Sequence, residues 1–300
     1  MIQLDAEAAV ARYEAIRRRL PAARFAGSPR RVANLGALVA QFDVWLLDAF
    51  GVLNVGETVV PTALDRVASL QAAGKRVLVL TNGATDPAAA ALEKYRAFGF
   101  DFAPQDIVSS RDALIAALPG YPGYCWGVMG KEGGALDDLA VESRLLTEDP
   151  AAYRACDGFL LLSSTDWNPT RQQLLQRALV ENPRPVLVGN PDLVAPREQG
   201  LSLEPGYFAH QLADATAITP TFFGKPFDNV YAMAFARAAI ESRQARVIMV
   251  GDTLHTDVLG GAAAGVATAL ITGHGLLTGL DVDRHIAVSG IVPDFIVNHT

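Results

Sequence analysis

Hydrophobic positions at the start of the chain recur at helical spacing. Ala9, Tyr13, Ile16 and Leu20 form one stripe of a helix predicted over 5–20, and the adjacent Arg17, Arg18 and Arg19 read as a solvated basic face. From Phe42 the period changes. Val44-Trp45-Leu46-Leu47 and Val77-Leu78-Val79-Leu80 are short continuous apolar runs, the pattern of strands buried on both faces. Between them Leu64, Val67 and Leu70 predict a helix over 61–73, closed by Gly74. A helix over 87–98 and a short strand at Ile107-Val108 continue the alternation, so the pattern predicts βαβ units and a parallel sheet covered on both sides.

The middle third alternates less regularly. It predicts strands at 124–128, 159–162 and 186–188, helices at 135–139 and 169–180, and a Pro- and Gly-rich loop over 190–206. After Thr221 the first pattern returns, with helices at 229–240 and 257–264 and strands at 247–250 and 267–271. The expected organisation is therefore a helical extension (1–41), an α/β core (42–118 and 214–300) and a second α/β lobe (119–213) inserted into that core.

Composition narrows the function classes. Half of the 300 residues are hydrophobic, yet no apolar run approaches the ~18 that a membrane span needs. A net charge of −7 argues against general affinity for nucleic acid, whose phosphates are held by clustered Lys and Arg. Small molecules or proteins are the expected partners. Cys125 and Cys156 are too few for a disulfide framework and read as reduced, partly buried thiols. The segment Met-Ile-Gln-Leu-Asp lacks the basic start and apolar core of a secretory leader, which makes a cytoplasmic location the expectation.

In an open parallel sheet, ligands bind beyond the carboxyl ends of the strands. Asp48, Thr81-Asn82 and Gly251-Asp252 each follow a predicted strand, and Lys225 precedes a predicted helix. Taken singly, each is an ordinary turn or cap residue; their convergence on one sheet edge is what turn chemistry does not predict. Two carboxylates ~4 Å apart repel by roughly 4 kcal/mol at an effective dielectric of 20, so Asp48, Asp252 and Asp257 together call for a cation. An all-oxygen set suits Mg²⁺, and a hard metal with a carboxylate, a hydroxyl, a Lys and backbone amides suits a phosphoryl group.

These segments resemble, in order, the four motifs of the haloacid dehalogenase superfamily. They are Asp48-Ala49-Phe50-Gly51-Val52-Leu53, Thr81-Asn82, Gly224-Lys225-Pro226 and Gly251-Asp252-Thr253-Leu254-His255-Thr256-Asp257. A lobe between the second and third motifs, with Asn190-Pro191-Asp192 and Glu204-Pro205-Gly206, resembles the class IIA, C2-capped branch. The resemblance implies a Rossmann-like doubly wound core with a C2-type cap and Mg²⁺-dependent hydrolysis of a small phosphorylated substrate through an aspartyl phosphate. It makes Asp48 the nucleophile, with Thr81 and Lys225 on the phosphoryl oxygens and Asn82 and Gly83 beside them. Asp48, Asp252, Asp257 and the backbone carbonyl of Phe50 would hold the metal. The cap loop, with Asn190, Asp192 and Arg197, would read the substrate. Neither nucleic acid nor membrane is an implied partner, and assembly stays open, a homodimer being one option.

One position departs from the pattern. Phosphatases of this superfamily carry a second Asp two residues after the nucleophile, which protonates the leaving alcohol; here it is Phe50. General acid-base assistance is typically worth about 10²–10⁴-fold. Three readings stay open on the sequence: a phosphohydrolase that is slow or takes its proton elsewhere, His255 being one source; a dehalogenase-like displacement at carbon; and a non-catalytic phospholigand-binding protein.

Overall fold

The computed structural model describes residues 4–25, 27–240 and 246–300. The first three residues of the expected N-terminal extension lie outside the described residues.

Seven strands form one fully parallel sheet in the spatial order Arg30–Asn34, Phe295–His299, Ala267–Ile271, Val247–Gly251, Val44–Leu47, Arg76–Thr81, Ile107–Ser109. The central strands are continuous apolar runs because helices cover both of their faces. Trp45 and Leu47 point into one cluster with Val52, Val67 and Leu70. Leu46 and Leu78 point into the opposite one with Val230, Tyr231 and Ala234. The three strands bearing Asp252, Asp48 and Thr81 at their carboxyl ends are immediate neighbours, so the sheet order itself brings those residues to one edge.

The inserted lobe has its own parallel sheet, ordered Thr221–Phe222, Val186–Val188, Gly158–Leu161, Trp126–Met129, Ser143–Leu145. Alternate residues divide between two cores. Phe159, Leu161, Val186 and Val188 face the helix Pro169–Glu181. Leu160, Leu187, Trp126 and Val128 pack with Ala113, Leu114 and Leu118, on and just after the helix Ser110–Ala117, which seats the lobe on the main domain. Cys125 and Cys156 are both buried and free.

Several boundaries differ from the sequence expectation. Arg30–Asn34, placed in a helical extension, is the edge strand of the main sheet. The lobe's sheet runs past 213 to Thr221–Phe222, and residue 213 falls inside the helix Pro205–Ala215. Within 190–206, read as loop, Val194–Arg197 and Gly200–Leu203 pair as an antiparallel hairpin; Pro196 and Gly200 had masked it. The predicted helix over 257–264 begins instead as one wide turn, Leu254–Val258, and continues as Leu259–Ala263.

The N-terminal helix, Ala6–Ala15, lies between the two lobes. Ala9, Val10, Tyr13 and Ile16 pack against Leu193, Val194 and Tyr207 of the cap and against Leu254, Val258 and Leu276 of the main domain. The basic cluster beside it is not simply solvated: Arg19 bridges to Asp214 at 2.7 Å and donates to the His210 carbonyl, while Arg12 shares the same Asp214.

Candidate active site

Asp48 follows its strand directly, and its amide donates to the Val250 carbonyl at 2.8 Å, locking the residue beside Asp252. One carboxylate oxygen, Oδ1, accepts from the Ala49 amide at 2.7 Å and lies 2.6 Å from Lys225 Nζ. Among the described residues no donor reaches Oδ2, which leaves that oxygen open to a ligand. Lys225 Nζ also donates to Asp257 Oδ1 at 2.7 Å, so one buried ammonium bridges two carboxylates. The Lys225 backbone is clamped by Asn82, whose amide side chain accepts from the Lys225 N–H and donates to its carbonyl.

Asp252 Oδ2 accepts from the Leu276 amide at 2.6 Å, and Oδ1 accepts from the Thr253 hydroxyl at 3.0 Å. Asp257 Oδ2 accepts from the Thr253 amide at 3.1 Å. Two glycines make this crowding feasible: a Cβ on Gly275 would sit 1.9 Å from Asp252 Oδ2, and one on Gly251 would sit 2.0 Å from Asp257 Cγ. Oxygens from Asp48, Asp252 and Asp257 all lie within 4.8 Å of one another. Burial raises Asp48 above the usual carboxylate range, with Lys225 opposing and Asp257 adding to the rise; burial, then Asp257 and Asp48, raise Asp252 likewise. Burial works against the Lys225 ammonium, yet Asp257, Asp48 and Asp192 together hold it above the ordinary lysine range. Three carboxylates are clustered here with one ammonium, which contacts only Asp48 and Asp257, and this all-oxygen donor set fits a hard divalent cation.

Asp48 and Asp252 line a cleft of about 260 Å³ together with Phe50, Thr81, Asn82, Gly83, Asn190, Asp192 and Arg197. Lys225 and Asp257, each about 1% exposed, are not among its lining residues and act on it through their contacts with Asp48 and with each other. The cap residues anticipated from sequence therefore do reach the same cleft. Asp192 accepts from Asn82 at 2.8 Å, and burial, with Lys225 opposing and Asp48 reinforcing, holds its carboxyl well above the usual range. Asn190 donates to the buried Glu204 at 3.1 Å, and Glu204 in turn accepts from Arg197 and Ser202. The Thr81 hydroxyl oxygen accepts from the Gly83 amide at 3.0 Å, a contact that leaves its own hydrogen available to donate into the cleft it lines.

Sequence reasoning missed several lining residues. Lys94 and Tyr95 come from the helix Ala88–Ala97 and Lys131 from the cap, each carrying no motif signature. Glu204 stands in a quoted motif, but its partner Arg197 is joined to it only by the hairpin. His255, one possible proton source, is buried, lies 2.5 Å from Glu14 and stacks on Tyr13; it is absent from the cleft wall. Tyr13, whose spacing marks it as an apolar stripe residue, also carries a hydroxyl that accepts from the Leu193 amide at 3.1 Å.

Comparison with known proteins agrees with this geometry. Residues 45–141 match the model of a haloacid dehalogenase-like hydrolase family, and 222–299 match a second model of such hydrolases. The chain belongs to the haloacid dehalogenase superfamily of hydrolases, and its cap placement is that of class IIA. It is 25% identical over 233 residues to an acid sugar phosphatase of Staphylococcus aureus, covering 76% of this chain and 85% of that protein. A possible sugar phosphatase from Cytophaga hutchinsonii superposes with a TM-score of 0.78 at 23% identity, over 90% of this chain and 98% of the other. A glycerol phosphate phosphatase from Mycobacterium tuberculosis, solved in complex with magnesium, gives 0.68 at 24% identity, over 87% and 76%. No described helix is long and apolar enough to cross a membrane.

Proposed function

We propose that this protein is a Mg²⁺-dependent phosphatase of small phosphorylated metabolites, sugar phosphates and nucleotides among them, acting through an aspartyl phosphate on Asp48. The observation that carries this reading is the asymmetry of Asp48: Oδ1 is held by Lys225 and the Ala49 amide, whereas Oδ2 has no donor among the described residues. Oδ2 attacks phosphorus, the bond to the leaving oxygen breaks, and its electron pair departs with that oxygen. Water then attacks the phosphoaspartate and releases inorganic phosphate, regenerating the carboxylate. Lys225 keeps its proton throughout, and with Thr81 it serves the phosphoryl oxygens. Asp48, Asp252, Asp257 and the Phe50 carbonyl are the groups that would hold Mg²⁺, which when bound neutralises charge on the phosphoryl oxygens. Asn190, Asp192 and Arg197 meet the rest of the substrate.

A cap inserted after Thr81 and a retained Asp252 and Asp257 weigh against displacement at carbon. Phe50 favours one second reading, a phospholigand-binding protein without turnover. The two are separated by p-nitrophenyl phosphate hydrolysis with added Mg²⁺. The phosphatase reading expects product that EDTA abolishes and that Asp48→Asn reduces by about 10³-fold or more. Tight phosphoester binding with no product under any divalent metal would overturn it.

A further inference from the structure

Position 50 is not merely vacated of its acid. The Phe50 ring carries a cation on it: the Arg197 guanidinium carbon lies 4.9 Å from the ring centroid. Lys94 Nζ lies 5.7 Å from the same centroid. Ring faces attract cations through their quadrupole, and the Phe50 ring therefore holds positive charge beside the nucleophile without neutralising it, as an aspartate there would. The guanidinium is also held from behind. Arg197 Nε donates to Ser202 at 2.9 Å and Nη2 donates to Glu204 at 3.1 Å, while Nη1 has no protein acceptor among the described residues. Glu204 is itself fixed by Asn190 and Ser202. Lys94 is held less firmly, through Glu57 at 2.7 Å.

A leaving oxygen can be relieved of its developing charge by a proton or by a fixed cation. This cleft has replaced the first device with the second. A cation suffices only where the departing anion is itself stable; an alkoxide, far more basic than a carboxylate or a phosphate anion, needs the proton. Resting on the phosphatase reading above, we infer that the substrate is a mixed or phosphoric anhydride, whose leaving group departs as an oxyacid anion, a phosphate or a carboxylate, received by Arg197 over Phe50. Asp48 Oδ2 forms its bond to phosphorus, the bridging P–O bond breaks, and the electron pair stays on an oxygen that takes no proton from the enzyme. Arg197 is on this view a catalytic residue, and Phe50 the platform that positions it.

The test compares kcat/KM, which reports the phosphoryl-transfer step, for acetyl phosphate and pyrophosphate against glycerol 2-phosphate. Because anhydrides are intrinsically more reactive, the decisive quantity is how the anhydride-to-alkyl ratio changes between variants. Phe50→Asp is expected to lower that ratio by about 10²-fold, mainly by raising the alkyl ester. Arg197→Ala is expected to lower the anhydride rate by roughly 10-fold or more, with Arg197→Lys recovering part of it and reporting on folding. Intact mass after acid quenching adds a readout independent of turnover: acetyl phosphate, and not glycerol 2-phosphate, should load one phosphoryl group onto wild type and none onto Asp48→Asn. Preference for acetyl phosphate over pyrophosphate assigns a carboxylate leaving group, and the reverse assigns a phosphate. An unchanged ratio in Phe50→Asp, or equal losses for both classes in Arg197→Ala, overturns the inference while leaving the phosphatase reading standing. Hydrolysis that survives Asp48→Asn overturns the phosphatase reading itself.

Discussion

The two ends of the cleft are built in opposite ways. At the phosphoryl end, Asp48, Thr81 and Asp252 sit at the tips of three adjacent central strands, and Lys225 and Asp257 are about 1% exposed. Apart from Asp48 Oδ2, every carboxylate oxygen of Asp48, Asp252 and Asp257 has a partner at 2.6–3.1 Å. At the other end, where we infer that the leaving group sits, Phe50, Lys94 and Arg197 come from a turn, a helix and a two-stranded hairpin, and Arg197 is 37% exposed. The contrast teaches where chemistry is fixed and where it is adjustable. On the proposed reading, groups that meet every substrate stand on the rigid sheet, and groups that meet only the variable part stand on elements that tolerate exchange.

The sharpest break of this contrast is at its centre. Asp48→Asn should reduce hydrolysis of every phosphoester or anhydride alike by about 10³-fold or more, because no substrate bypasses that oxygen; a loss confined to one class would erase the division between the ends. Lys225→Met should come next in severity and act on the fold as well. It leaves Asp48 and Asp257 buried without their shared counter-ion, and breaking a buried pair typically costs about 3–5 kcal/mol. Urea unfolding should show that loss, whereas Arg197→Met, at the exposed end, should move the midpoint far less.

The sheet edge was legible in the sequence because buried parallel strands leave an unambiguous mark: Val44 to Leu47 and Val77 to Leu80 have no polar residue to confuse the period. Asp48 and Asp252 could be placed because they follow such strands, and Lys225 because it precedes a helix in the turn Gly224-Lys225-Pro226. The other end was far less legible. Arg197 ends one arm of a hairpin and Glu204, seven residues on, directly follows the other; the strands contain Pro196 and Gly200, and the local signals there are those of a loop. The loss of an acid at position 50 could be read directly; the two cations over its ring could not, since Lys94 and Arg197 arrive from distant segments. The strand Arg30–Asn34 was missed for a related reason. It is an exposed edge with no apolar run, defined only by its pairing with Phe295–His299.

Two smaller perturbations sharpen the comparison. Tyr13→Phe deletes the acceptor for the buried Leu193 amide, at a cost of about 1–3 kcal/mol. Leu193 adjoins Asp192, so the variant should raise KM more than it lowers kcat in steady-state assays; an equal change in both would mean that the two ends are not separately held. His210 provides a pH test on the cap. Burial lowers it to about 3, with Arg19 and Arg12 adding to the effect and Asp214 opposing. The folded state thus binds its proton more weakly than the unfolded chain, whose His titrates near 6.5. Stability is full above that pH and falls as pH drops from about 6.5 toward about 3, by up to ~1.4 kcal/mol per unit. Urea midpoints measured from pH 7 to 4.5 should fall less steeply in His210→Phe, which keeps the stacking on Phe222 and removes the titration.

The N-terminal helix acts as a shim between two blocks. Tyr13 touches Leu193, one residue past Asp192, through its hydroxyl and His255, two residues before Asp257, through its ring. The gap between cap wall and catalytic floor is gauged by a side chain that belongs to neither sheet. Exchanging bulk along Ala9, Tyr13 and Ile16 is thus a way to widen or narrow the opening without altering any residue that faces the bound molecule.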